Sequence, residues 1–274
     1  MDLVFTRLTD TEARFILNDA TPAFANTLRR AMMTEVPTLA IEDIKIYDNT
    51  SVLFDEILTH RLGLVPLKTE NLNLVLPSEC KCGGEGCPGC SVTYTLSVEG
   101  PGMVYSRDLI PDDPKAVPAF ENIPLVKLFE GQKVVIEARA VLGSGRDHAK
   151  WEAVLTCGYK EYPIITISKE CDGEICGRCV EECPRNILKA DKDTVSVIEG
   201  RLEECSMCKL CMKVCDIGET PAINIDADDT RFIFVMESDG SISAKEIIKM
   251  ALVYIRGKSA DLSTTVAELS GGAA

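Results

Sequence analysis

The chain has 274 residues, with 29 Lys+Arg against 43 Asp+Glu and a formal net charge of −14, which excludes a phosphate-binding surface carried by this chain alone. An apolar share of 46% excludes wholesale disorder, and no apolar run approaches the ~18–20 residues of a bilayer-spanning helix. Because the segment 1–7 lacks a basic leader followed by an apolar core, the chain is expected to be soluble and cytoplasmic, with no membrane partner.

Alternation at Val4, Thr6 and Leu8 and again at Ala13, Phe15 and Leu17 predicts two strands of a meander. A helix follows, with Thr21 as N-cap, Pro22 at the first helical position and Phe24, Leu28 and Met32 as a stripe at four-residue spacing. Arg29 and Arg30 fall in its last turns, where the helix dipole favours cations, and Pro37 stops it. The stripe taken alone reads as core. A strand over 41–47, a short helix over 54–58 and strands over 92–98, 133–142 and 151–157 make 46–165 a mostly β module. A cysteine-rich stretch occupies 166–223. An acidic linker containing Asp226, Asp228 and Asp229 then leads to a strand over 231–237 and a turn at Asp239-Gly240.

The last helix is predicted to open on a Ser243–Glu246 capping box and to stop at Gly257 as its C′ residue. Between them Ile247, Ile248, Ala251, Leu252 and Ile255, with Met250, Val253 and Tyr254, leave almost no polar face. Such a helix is either the buried centre of this chain's own core or is covered by a partner as well. The Ser/Thr/Ala/Gly-rich tail beyond it is expected to be poorly ordered.

Thirteen cysteines in a reducing compartment point to metal rather than disulfides, and twelve fall in three tight groups. Cys80-x-Cys82-x4-Cys87-x2-Cys90 lies in a Gly-rich loop. Four thiolates in two close pairs suit tetrahedral zinc, leave no open position for catalysis, and leave another iron–sulfur centre or an unfilled loop as alternatives. Cys205-x2-Cys208-x2-Cys211-x3-Cys215, preceded by Cys176-x2-Cys179-x3-Cys183-Pro184, resembles the bacterial-type ferredoxin repeat. That resemblance implies two 4Fe-4S clusters, one on Cys183, Cys205, Cys208 and Cys211 and the other on Cys176, Cys179 and Cys215. The fourth ligand of the second would be Cys171, which stands two residues beyond the family's position, now Gly173. If the loop 172–175 bulges, Cys171 reaches the cluster; otherwise the site holds a 3Fe-4S cluster. Asp216 replaces a proline that often follows the last Cys and is expected to affect only the turn. Cys157 reads as a small buried residue.

No catalytic residue is expected. The two histidines, His60 and His148, lie near no Ser or Cys nucleophile signature, and no phosphate-binding loop motif occurs.

Three separated segments carry a wider resemblance. Asn26-Thr27-Leu28-Arg29-Arg30-Ala31, the run from His60-Arg61-Leu62-Gly63 to Leu64-Val65-Pro66-Leu67, and Phe232-Ile233-Phe234-Val235-Met236-Glu237-Ser238-Asp239-Gly240-Ser241 resemble the alpha-type assembly subunits of multisubunit RNA polymerases. With the two cysteine regions, the likeness is to the archaeal D-type group of that family. The resemblance implies an α+β fold in three parts. These are a discontinuous dimerisation domain (1–45 with 224–265), a β-rich insert domain (46–165) and a ferredoxin-like iron–sulfur domain (166–223), followed by a disordered tail (266–274). It further implies a heterodimer with the smaller L-type subunit through Phe24, Leu28, Arg29, Arg30, Met32, Ile247, Ile248, Ala251, Leu252 and Ile255. That pair would be the platform for the large catalytic subunits, with DNA reached only indirectly. The competing expectation, a ferredoxin-type electron-transfer subunit of an oxidoreductase, accounts for the cysteine stretch alone.

Overall fold

The computed structural model describes residues 1–171, 176–192, 194–217 and 220–271. In chain order these form β1 (Asp2–Leu8), β2 (Glu12–Asn18), α1 (Pro22–Thr34), β3 (Thr38–Asn49), α2 (Asp55–Gly63), β4 (Ser91–Glu99), β5 (Gly102–Tyr105), β6 (Ile110–Pro111), β7 (Pro124–Leu128), β8 (Lys133–Gly143) and β9 (Val154–Ile167). They continue as α3 (Arg178–Glu181), β10 (Leu188–Asp191), β11 (Thr194–Val197), α4 (Leu210–Lys213), β12 (Ile223–Ser238) and α5 (Ala244–Gly271). The fold is mixed and rich in β-structure. No helix among the described residues is long and apolar enough to cross a membrane. One four-stranded sheet has the order β1-β2-β12-β9, so its halves come from the two ends of a long intervening stretch of chain. The chain divides into two compact units, 1–4 with 15–25 and 159–234, and 5–14 with 26–158 and 235–274.

The larger unit is built on the sheet β3-β8-β4-β6. The β3–β8 pairing carries irregularities between Ile41 and Asp43 and between Ile46 and Asp48, which bend and twist a long two-strand ribbon. One sheet face supplies Leu39, Ile41, Val92, Tyr94, Leu96, Ile136 and Ala138 to a core closed by Leu58 and Leu62 of α2. Acidic residues in the first turn of α2 and His60 and Arg61 in its last turn complement the helix dipole. The Arg61 guanidinium donates to the carbonyls of Pro124 and Leu125 at 2.6 and 2.9 Å, fixing α2 to β7. Tyr94, fully buried, donates its hydroxyl to the Ala116 carbonyl, and burial holds its pKa well above the usual phenol range.

In the smaller unit Phe15 stacks on Phe234 with centroids 4.9 Å apart, and Tyr159 packs against both Phe232 and Phe234. Arg231 lies 3.8 Å above the Tyr162 ring. A second apolar cluster gathers Ile187, Leu188, Val195, Ile223 and Ile225 with buried cysteines, and the hairpin β10–β11 covers it.

Several expectations change. Thr21 caps α1 as predicted, accepting from the Phe24 N–H at 3.2 Å. The acidic linker is strand: β12 begins at Ile223, and Asp226 and Asp228 sit on its outward side with Ile223 and Ile225 inward. At the start of α5, Ser243 gives its N–H and hydroxyl to Glu70 at 3.2 and 2.5 Å, while Glu246 turns to Lys249, so the expected reciprocal capping box does not form. Gly257 does not end α5 either. The helix continues to Gly271 through most of the segment expected to be disordered, since one interior glycine costs only about 1 kcal/mol. Residues 272–274 of that segment lie outside the described residues.

Candidate metal centres and partner helix

The loop 80–90 brings four thiols to one point. Sγ–Sγ separations are 3.3 Å for Cys82–Cys80, 3.5 Å for Cys80–Cys87 and Cys82–Cys90, and 3.9 Å for Cys87–Cys90. A tetrahedron with ~2.3 Å metal–sulfur bonds has sulfur–sulfur edges of about 3.8 Å, close to this set. A cuboidal iron–sulfur core would hold its thiolates farther apart. The turns are possible because Gly83, Gly84 and Gly86 take φ of +69°, +87° and +96°. Gly86 is further constrained: a Cβ there would strike the Arg139 guanidinium, which donates to the Glu85 carbonyl at 3.1 Å and to Asp43 at 2.9 Å. The loop is thereby tied to β8 and β3. Hydrogen bonds from the Cys87 N–H, the Cys80 thiol and the Gly86 N–H lower the Cys82 pKa to about 5, so this group enters the set as a thiolate. Cys80 is pushed up to about 12. The Cys82 N–H lowers it, but the neighbouring thiols outweigh that, since a second negative charge cannot form beside the first without a cation. Among the described residues this is the one group of three or more His, Cys, Asp or Glu ligands converging so closely.

The second cysteine region is organised differently. Cys183, Cys205, Cys208 and Cys211 all line one small cavity of about 20 Å³, walled otherwise by apolar groups such as Ile165, Ile187 and Ile225. The other thiols lie within electrostatic reach of Cys179. Burial, then the charges of Cys171, Cys176 and Cys215, raise the Cys179 pKa. Burial likewise pushes Cys211 up to about 11, against the Met212 N–H and reinforced by Cys205, Cys208 and Cys179. The Leu210 N–H leads the groups that lower Cys208. The repeat implies two separate ligand sets, and the interaction between Cys179 and Cys211 runs across them. The bulge at 172–175 that decides between three and four irons lies outside the described residues.

The local backbone shows the repeat as well. In Cys176-Gly177-Arg178-Cys179 and Cys208-Lys209-Leu210-Cys211, the residue after the first Cys is left-handed, with φ of +55° at Gly177 and +59° at Lys209. Each is followed by a one-turn helix, α3 or α4. A lysine in this conformation carries strain of about 1–2 kcal/mol, which the surrounding loop must hold. Asp216 does more than shape a turn: Arg178 forms an ion pair with it and a hydrogen bond with Cys176. Nothing in the sequence marks that pairing, because the partner lies far away in the chain. Lys160 and Arg201, which hold the Cys205 loop, escape sequence reasoning for the same reason. Cys157 is half-buried, and burial pushes its thiol up to about 11, which leaves it inert at neutral pH.

Of the residues expected at a partner interface, Leu28, Met32, Ile247, Ile248 and Ala251 are buried within this chain's own core. They cannot touch a partner in this conformation, because the apolar pattern of α1 and α5 combines inward stripes with outward ones. Phe24, Arg29 and Ile255 are half-buried, and Arg30 and Leu252 are exposed. Apolar residues farther along α5, absent from the sequence-based interface, stand out instead: Leu262, Val266 and Leu269 are 66, 56 and 74% exposed. With Leu252, Ile255 and Ser259 they recur at alternating three- and four-residue steps, the spacing of a coiled-coil seam. Every residue over 256–269 is exposed. Both histidines border one open cleft beside Glu42, Glu56 and Lys150 on the larger unit, away from any nucleophile signature.

Residues 44–164 match the family model described as RNA polymerase Rpb3/RpoA insert domain. The chain is 48% identical over 270 residues to DNA-directed RNA polymerase subunit Rpo3 of Methanosarcina acetivorans, covering 98% of this chain and 99% of the relative. It is 49% identical over 270 residues to that of Methanosarcina mazei, with the same coverage. The Archaeoglobus fulgidus subunit is 44% identical over 260 residues, covering 95% of this chain and 96% of its own length. The chain belongs to the Rpo3 family, the alpha-type (D-type) subunits of archaeal DNA-directed RNA polymerase, which are non-catalytic members of that nucleotidyltransferase complex.

Proposed function

We propose that this chain is the assembly platform of its polymerase. It pairs with the smaller L-type subunit through the outward face of α5 and then recruits the large catalytic subunits, in the cytoplasm and with DNA reached only through them. The dimerisation part is 1–45 with 224–265, extended here along α5 to Gly271, the insert part 46–165, and the cysteine part 166–223. The observation that carries this reading is the C-terminal half of α5. A helix segment exposed on all sides over 256–269, about 20 Å long, is marginal by itself in water. Its hydroxyl residues Ser263, Thr264 and Thr265 return their O–H groups to carbonyls one turn back, leaving the apolar seam of Leu262, Val266 and Leu269 to be covered from outside. A partner helix at coiled-coil spacing satisfies it. Leu262→Asp with Leu269→Asp should abolish co-elution with the L-type subunit in size-exclusion chromatography while leaving the chain folded. An unchanged heterodimer overturns the reading.

The metal assignments belong to the same proposal. The loop 80–90 binds zinc through Cys80, Cys82, Cys87 and Cys90, supported by thiol spacing and a donor set that fills all four positions; its work is to clamp the loop. The cysteine part houses two 4Fe-4S clusters. The cavity bordered by Cys183, Cys205, Cys208 and Cys211 favours one, and Cys171, Cys176, Cys179 and Cys215 would hold the other with three or four irons. The donor sets are all-thiol and lined by apolar groups, which fits iron–sulfur ligation. When bound, such clusters supply cross-links between distant segments and sensitivity to iron and oxygen. The electron-transfer alternative finds no support in the relatives, whose names place the whole chain in RNA polymerase.

A further inference from the structure

The four thiols around the small cavity come from two separate segments, the turn after α3 carrying Cys183 and the loop and α4 carrying Cys205, Cys208 and Cys211. Two cations bridge those segments to each other and to the sheet. Arg201 donates through Nη1 to the Asn186 carbonyl at 2.9 Å and through Nη2 to the Arg185 carbonyl at 3.1 Å, three and two residues past Cys183. The same guanidinium holds the Glu204 carboxylate at 2.7 Å, one residue before Cys205. Lys160, half-buried on β9, donates through Nζ to the carbonyls of Glu203 at 2.7 Å and Cys205 at 2.6 Å. Every one of these bonds is to backbone or to a carboxylate, so none competes with the thiols for a metal.

The other thiol neighbourhood is joined by backbone donors, the Ser168 N–H to the Ala222 carbonyl at 2.7 Å and the Ala222 N–H to the Cys215 Sγ at 3.2 Å, but among its described residues no side-chain cation bonds backbone on both sides of the gap. Arg178 reaches Asp216 and Cys176, but the side chains of that ion pair are 54 and 63% exposed, against 37 and 40% for Arg201 and Glu204, so water and salt screen it more.

We propose that Lys160 and Arg201 are positioning residues that preform the Cys183/Cys205/Cys208/Cys211 site before any iron is bound. This makes it the durable one of the two centres, and the Cys171/Cys176/Cys179/Cys215 site the one that responds first to iron scarcity or oxidant. The inference rests on the iron–sulfur reading above and adds which half of the cysteine part is the sensor. The physical basis is entropic. A ligand set spanning a gap in sequence must be closed before it can bind, and bonds fixing both sides of the gap meet that closure cost in advance. Lys160 also carries the effect outward, because it roots the Cys205 backbone in a strand of the four-stranded sheet.

The test uses the full-length chain, reconstituted anaerobically with iron and sulfide, in a Cys176→Ser/Cys179→Ser background where only the braced site can load. Iron release to a chelator and the electron paramagnetic resonance signal of the reduced cluster are followed together. Lys160→Gln and Arg201→Gln should each release iron about 10–100-fold faster, the usual range for lost outer-shell support, and Lys160→Arg should restore most of the difference. Hydrogen exchange of the metal-free chain should show amides over 183–189 and 203–211 losing protection in both variants. Unchanged release rates with unchanged exchange overturn the proposal. Should Lys160→Gln fail to fold, Arg201→Gln decides alone, since its bonds lie wholly within 185–204. A chain that takes up no iron in this background, while the unmodified chain does, counts against the ligand assignment and not against the brace.

Discussion

The loop 80–90 and the stretch 176–215 use the same residue type in two ways. In the first, the four sulfurs all lie within 4.8 Å of one another around a point, and glycines in left-handed conformation let one short loop supply all of them. In the second, sulfurs border a cavity, come from segments about twenty residues apart, and need charged side chains from elsewhere to hold them. On the proposed zinc and iron–sulfur reading, the size of the occupant sets the difference. A single ion can be enclosed by local turns, whereas a cluster must be walled by tertiary structure.

The comparison can be broken most directly by removing one thiol from each region. Cys82→Ser or Cys90→Ser should reduce zinc to background in elemental analysis and leave iron unaltered, because four ligands in one loop leave no substitute. Cys208→Ser should take away one of two cluster signals in electron paramagnetic resonance and leave zinc in place. Loss of both metals from either change would show that the regions are coupled and would undo the distinction. Gly86→Ala probes the loop with the thiols untouched. The new methyl meets both a φ of +96° and the Arg139 guanidinium, so a loss of about 1–3 kcal/mol in thermal unfolding is expected. An equal penalty at exposed Gly257, which has helical neighbours and nothing near its Cβ, would contradict that account.

Acid provides the smallest and most selective effect. Glu35 is partly desolvated, yet the Arg146 guanidinium and the hydroxyls of Tyr254 and Thr34 hold its carboxyl below the usual range. Its folded-state pKa is therefore depressed. The stability it contributes is present above the unfolded-state value and is lost as pH falls toward the folded one. Glu35→Gln should flatten the acid limb of the stability curve between those two pH values and leave neutral-pH metal content unaltered. Protonation of thiolates displaces metal independently of Glu35, so metal release and the Glu35 effect should separate in a titration followed by absorbance and by circular dichroism.

What is legible in the sequence is local. Thr21-Pro22 announces α1, the alternation over 133–142 announces β8, and the cysteine spacings mark their own loops. The full lengths of β9 and β12 are hidden, because Tyr159–Tyr162 and Asp226–Asp229 are polar stretches held in strand by ladder partners distant in the chain. Leu252 and Ile248 look equivalent in an apolar helix, and only packing shows that one faces out and the other in. Lys160 and Arg201 are invisible for the same reason: a lone cation in a sequence carries no mark of the carbonyls it will meet.

The Ser168 N–H donates to the Ala222 carbonyl at 2.7 Å, so the chain enters and leaves the cysteine part through two backbones already joined. A segment attached in this way is a cassette. Replacing 169–221 with a two-residue turn would close an ordinary hairpin between β9 and β12. The surrounding sheet would keep its register, and the chemistry of the cysteine part could be gained or given up by this scaffold without redrawing it.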